Sequence, residues 1–174
     1  SVYRRQSALY FVTGSEMAPQ LRISLFGHLQ AVYGKRRLQL KFPPKTTPLW
    51  AYLLLHQGRA IARQKLAFVL WPDVPESIAR ANLRRHLHRL KRTLPPATPG
   101  YPWLLINAKT VRWNPGADYW LDVAEFERLS QNENTLEDAI SLYRGDLLAD
   151  CYDDLIFPER EKLRELYMAD LALL

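Results

Sequence analysis

The chain has 174 residues, 48% of them apolar and 11% aromatic, with a formal net charge of +6. That composition excludes a disordered chain, no apolar run approaches the ~20 residues of a membrane span, and the lone Cys151 excludes an internal disulfide and fits a reducing cytoplasm. The charge is divided: residues 1–121 carry 19 Lys/Arg against 4 Asp/Glu, and residues 122–174 carry 5 against 14. The basic part suits a polyanion, the acidic part a protein partner.

Residues 1–20 read as a tail. Tyr3-Arg4-Arg5 is basic, Leu9 to Val12 has the make-up of a short strand, and Met17 is a candidate natural start. The apolar run SALYFVTG is too short and lacks the cleavage site of a clear secretory signal.

From Leu21 the pattern turns to strands. LRISLF and HLQAVY alternate apolar and polar residues, Gly34-Lys35 makes a hairpin turn, and RLQLKF returns. This predicts a small antiparallel sheet with one buried face. Pro43-Pro44 ends it. Thr47 is then a candidate cap, with Pro48 at the first position of a short helix, LWAYLLLHQ, that is apolar all round and so central to the core. ARQKLAFVL, residues 62–70, predicts a second helix with Leu66, Val69 and Leu70 inside and Arg63 and Lys65 outside. Trp71-Pro72-Asp73 links it to a third.

That third helix, Glu76 to Leu94, is the most informative stretch. Ala79, Leu83, Leu87, Leu90 and Leu94 fall on one stripe at about 100° per residue. Ile78, Ala81, Asn82, Arg85, His88, Arg89 and Arg92 fall opposite. Asp73 and Glu76 have the spacing of a capping box, and Pro95-Pro96 stops the helix. Six Lys/Arg follow Glu76 with no further acid. Surface helices usually mix signs, because alternating charges gain i,i+4 pairs. A face of one sign repels itself unless a polyanion neutralises it. Arginine, asparagine and histidine are side chains suited to phosphates and base edges. Three helices in succession, the last one basic, read as a helix-turn-helix.

YPWLLIN and TVRWN then predict a hairpin turning at Ala108-Lys109, the wing, with YWL as its short third strand. From Asp122, a candidate cap, the character is helical and acidic. Candidate helices are VAEFERLSQ, LEDAISLY (capped by Thr135 and stopped by Gly145) and PEREKLRELYMADLALL. The last has an apolar face with no visible mate, as in a helical array that continues beyond it. No ~34-residue repeat is legible.

Catalytic and metal patterns are missing from the sequence. His86 and His88 lie two apart on a helix and point away from each other, Cys151 stands alone, and there is no glycine-rich phosphate loop or nucleophile elbow. The tryptophans sit among apolar positions and predict core packing, except Trp71 at the elbow. An enzyme, a cofactor and a metal are therefore not expected.

LRISLFGHLQ, LWPD, ARANLRRHLHRLKRTL, DYWLDVAEFERL and YRGDLL, in this order, resemble the bacterial SARP-type transcriptional activators over about residues 21–174. The resemblance implies an OmpR-like winged helix followed by a bacterial transcriptional activation domain of TPR-like helices that runs beyond Leu174. It implies binding to direct repeats in promoter DNA as a head-to-tail homodimer, and recruitment of RNA polymerase through its sigma factor. The wing, Asn107 to Val111, is short for the family.

The expectation is thus an α+β winged helix-turn-helix over residues 21–121, with an N-terminal antiparallel sheet, three helices and a hairpin wing. An all-α TPR-like segment over 122–174 follows. The function expected is a cytoplasmic, nucleoid-associated, sequence-specific regulator of transcription on double-stranded DNA. Arg85 and Arg89 are the candidates for guanine and Asn82 for adenine. His88, Arg92 and Arg84 are candidates for phosphate. Lys109 and Arg112 on the wing, with Arg63, Lys65 and Trp71, should hold the DNA backbone. The rival is a helical-repeat scaffold whose winged helix contacts protein, for which the strongly basic part has no use.

Overall fold

A computed structural model describes residues 19–174 apart from Gln57; the strand expected at Leu9 to Val12 lies outside the described residues. Strands β1 (Leu21–Ser24), β2 (Gln30–Tyr33) and β3 (Arg36–Arg37) open the fold, followed by helix α1 (Thr46–Leu55). Strand β4 (Ile61–Ala62) leads into α2 (Arg63–Leu70) and α3 (Glu76–Thr93). The wing is β5 (Leu104–Ile106) and β6 (Thr110–Trp113), and β7 (Tyr119–Leu121) runs directly into α4 (Asp122–Leu129). A single 3-10 turn, Glu133–Thr135, precedes α5 (Leu136–Leu142), and α6 spans Phe157–Leu173.

The strands form two sheets, in the orders β3-β2-β1-β7 and β4-β6-β5. The first differs from the expected all-antiparallel sheet. β1 pairs antiparallel with β2 but parallel with β7, Leu21 opposite Tyr119 and Ile23 opposite Leu121. YWL is therefore not the third strand of the wing. It closes the free edge of β1, and the wing takes its third strand from β4 instead. Strand β3 is only two residues long, so Leu38 and Leu40 of the expected return strand lie outside it and pack half-buried against the core.

Helix α1 is buried almost all round, at Thr46, Pro48, Leu49, Trp50, Ala51, Leu53 and Leu54. It begins one residue earlier than the expected Thr47 cap and has no side-chain cap, which places Pro48 third in the helix. Helix α3 likewise lacks the Asp73–Glu76 capping box. Pro75 occupies the capping position, and its carbonyl accepts from the Ile78 and Ala79 amides at 3.0 Å each. The end is as expected: Leu94, before Pro95, is extended.

The leucine stripe is where the periodicity puts it. Ala79, Leu83, Leu87, Leu90 and Leu94 are all buried, in a core shared with Leu66 and Leu70 of α2 and the tryptophans Trp50, Trp103 and Trp113. Val69 is only half-buried, and Ala67 takes its place inside. The acidic helices join the same core. Phe26 meets Phe126 edge-on at 5.3 Å and Tyr143 at 4.8 Å, while Leu147, Leu148, Ile156 and Leu163 are buried. The charge switch at residues 121–122 thus coincides with no break in packing.

Asp122 sits at that switch. Its carboxylate is buried and accepts from the amides of Leu25, Phe26 and Val123 at 2.8–3.0 Å. It is not the expected helix cap, since Leu121 holds that position with no side-chain cap; Asp122 is the first residue of α4 and terminates β1. Just beyond, the Gly27 amide donates to the Asp146 carbonyl and the Gly27 carbonyl accepts from Ala149. Gly27 has φ +80°, a conformation L side chains avoid, which suits a glycine here.

Candidate nucleic-acid interface

Helix α3 turns its leucines inward, so its other side faces solvent. Arg84, Arg85, His88, Arg89 and Arg92 are exposed and Asn82 is half-buried, all on one helix with Lys91 and Arg80. Arg80 pairs with Glu76 at 2.7 Å. Arg84, Arg89, Lys91 and Arg92 make no side-chain hydrogen bond or ion pair among the described residues. The face is therefore cationic and uncompensated.

Two candidate base readers are coupled. The Arg85 guanidinium donates to the side-chain oxygen of Asn82. A bidentate contact to adenine uses both ends of the asparagine amide. The Asn82 oxygen has a second lone pair, so Arg85 constrains the orientation of that amide toward a base.

The wing is braced against α2 and so against the helix-turn-helix. β4, which runs straight into α2, pairs with β6. The Arg63 amide donates to the Lys109 carbonyl at 2.9 Å, and its Nη1 to the Asn107 carbonyl at 3.2 Å. The Asn107 side chain accepts from the Lys109 and Thr110 amides at 2.8 Å each, shaping the tip. Lys109 stands exposed there, and Lys65 is exposed on α2. Arg63 is thus partly occupied by the wing. Arg112 lies half-buried on β6, its Nε buried and without an acceptor among the described residues. Trp71 is half-buried, with its ring 5.0 Å from that of His86.

His86 is the residue the sequence left without a role. Its Nδ1 shares a 2.7 Å hydrogen bond with Thr46 Oγ1, at the first turn of α1. Burial, then the charges of Arg85 and Arg89, hold its pKa below the usual histidine value. Spacing within α3 carries no signal for this contact, because the partner lies 40 residues away.

A different charge pattern lines the acidic part. Arg164 pairs with Asp146 and Glu161, and Lys162 lies 3.8 Å from Glu127. The buried Arg160 donates to the carbonyls of Leu147, Leu148 and Cys151. Among the described residues, no helix is long and apolar enough to cross a membrane, and no group of three His, Cys, Asp or Glu is placed to hold a metal ion.

Three helices, a braced hairpin and a basic outward helix define a winged helix-turn-helix, here joined to a helical region. No protein-family model and no curated protein matches the chain. Among solved structures it is similar to Mycobacterium tuberculosis EmbR in complex with a low-affinity phosphopeptide, with a TM-score of 0.71 and 22% identity. The similarity covers 87% of this chain and 44% of that one, so the chain spans less than half the length of EmbR. At that identity the likeness shows a shared fold.

Proposed function

We propose that this chain is a non-enzymatic transcription regulator that binds double-stranded promoter DNA by sequence, with α3 in the major groove and the wing on the backbone. The observation that carries the reading is the outward face of α3, where Arg84, Arg89, Lys91 and Arg92 have no partner among the described residues. Cations left uncompensated on one helix, beside a lysine-tipped hairpin, fit a polyanion. In this reading Asn82, Arg85 and Arg89 contact bases. Arg84, His88, Arg92, Lys65, Lys109 and, in part, Arg63 and Arg112 contact phosphate. The finer elements are what the sequence resemblance to SARP-type activators implies, and the fold shared with EmbR fits that resemblance: TPR-like character in the acidic helices, a homodimer on direct repeats, and activation through RNA polymerase and its sigma factor.

One observation favours the rival, a protein-contacting winged helix. Phe68 is 71% exposed on α2, with Val74 and Ile78 also exposed around the elbow between α2 and α3. A salt titration separates the two. Binding to a duplex should weaken linearly in log K against log salt, with a slope of about −0.9 per neutralised phosphate. A slope near zero sinks the DNA reading.

A further inference from the structure

We propose that His86 is a positioning residue: through its hydrogen bond to Thr46 it fixes the rotation of α3 about its axis and so aims Asn82, Arg85 and Arg89. The inference rests on the reading of α3 as the helix that contacts bases.

The leucine stripe sets which face of α3 turns to the core, through an attraction that is itself non-directional. A hydrogen bond is directional and weakens steeply once its geometry is lost. Among the described residues, two side-chain hydrogen bonds join α3 to other elements. One, Gln64 to Glu76, is exposed, 3.3 Å long and at the first residue of the helix. The other is Thr46 with His86, 2.7 Å long and in the middle of the helix.

The anchor for that second bond is well held. Thr46 is 0% exposed, and a hydroxyl taken wholly out of water is costly if left unpaired. The residue before it, Lys45, is tied to Asp153 of the acidic part at 2.7 Å. Trp71 packs on the His86 ring from the elbow. His86 is thus held by α1, by the elbow and, through Lys45, by the loop before α6.

The candidate readers lie close around it. Asn82 is four residues before His86, Arg85 one before and Arg89 three after, so all three lie within about 100° of it on one side of the helix. With side-chain ends about 6 Å from the axis, a roll of about 10° moves them by about 1 Å. That is enough to spoil a bidentate contact to a base while leaving a flexible cation free to find a phosphate. The signature of lost positioning is therefore a loss of discrimination, not of binding.

The experiment uses the full chain and two duplexes, a preferred site selected from a random library and its scramble. Thr46→Val and His86→Leu should each weaken binding to the preferred site about tenfold, within the range of one bidentate base contact, and change the scramble less than twofold. Thr46→Ser and His86→Asn, which keep a polar atom near the original position, should restore discrimination. The double variant Thr46→Val/His86→Leu should lose no more than either single. Equal losses on both duplexes, additive losses in the double variant, or full discrimination in Thr46→Val and His86→Leu would overturn the inference. If either of those two fails to fold, the other, read against its conservative counterpart at the same position, decides it. A wild type that does not discriminate between the duplexes overturns the DNA reading itself, and the inference with it.

Discussion

Helices α3 and α6 are of nearly equal length and both carry several cations, but they use them differently. On α6, Arg164 pairs with Asp146 and Glu161, Lys162 approaches Glu127, and Arg160 is buried against three backbone carbonyls. On α3, Arg80 pairs with Glu76 and Arg85 with Asn82, while the other four cations make no such contact among the described residues. Cations on α6 are engaged within the chain. Those on α3 add self-repulsion and contribute little to the fold, which makes sense for a surface that is neutralised from outside. Counting charge alone does not separate the two helices; their partners do.

The largest test is of the inner side of α3. Leu87→Ala should cost roughly 2–5 kcal/mol of stability and lower the melting temperature. His88→Ala, one residue on and exposed, should stay within about 0.5 kcal/mol of wild type. Similar costs for the two in thermal unfolding would erase the distinction between the faces.

Next comes the division of labour outside. Arg85→Ala should weaken binding to the preferred site by roughly 1–3 kcal/mol, relax preference at one base position and affect scrambled DNA far less. Lys109→Ala should weaken both duplexes by a similar factor and make the salt slope shallower by about one unit. Arg164→Ala, the control on α6, should leave both affinities unchanged. If Arg164→Ala behaves like Lys109→Ala in the same titrations, the contrast between the helices fails. If Arg85→Ala weakens both duplexes equally, Arg85 is a phosphate clamp, and the readers are Asn82 and Arg89.

The smallest effect is on pH. Burial leads in lowering both His86 and His56 below the ordinary value of 6.5. Arg85 and Arg89 add to it at His86, and at His56 Glu159 opposes it. The unfolded chain therefore binds more protons just below that value than the folded one does. Stability should be fully present above about pH 6.5 and fall as pH drops through the lowered folded values. His86→Asn should flatten part of this dependence in a series of melts. A melting temperature that rises on acidification would contradict the direction.

What was legible in the sequence was local. The stripe from Ala79 to Leu94 repeats within one helix, and the two wing strands are adjacent in the chain, so periodicity and turn residues suffice to place them. Contacts between distant segments carry no such pattern. YWL has strand character, but its sequence does not say which edge it joins, and β1 rather than the wing receives it. Asp122 reads as a helix cap from its own neighbours, yet it is the first residue of α4, and its bonds to the Leu25 and Phe26 amides come from 97 and 96 residues away. The same holds for Thr46 and His86. The candidate site was legible where it is a face of one helix, but not where that face is held from outside.

The parallel pairing of β1 with β7 bears on how the protein is made. The edge of β1 and the amides of Leu25 and Phe26 receive their partners from residues 119–122. Ribosomes add roughly 5–20 residues per second, so β1 emerges on the order of 5–20 s before the strand and carboxylate that complete it. Through that interval the nascent chain presents an open strand edge, the feature most prone to pair with a neighbouring chain. Slowing translation between residues 24 and 119 lengthens that exposure, and speeding it shortens it.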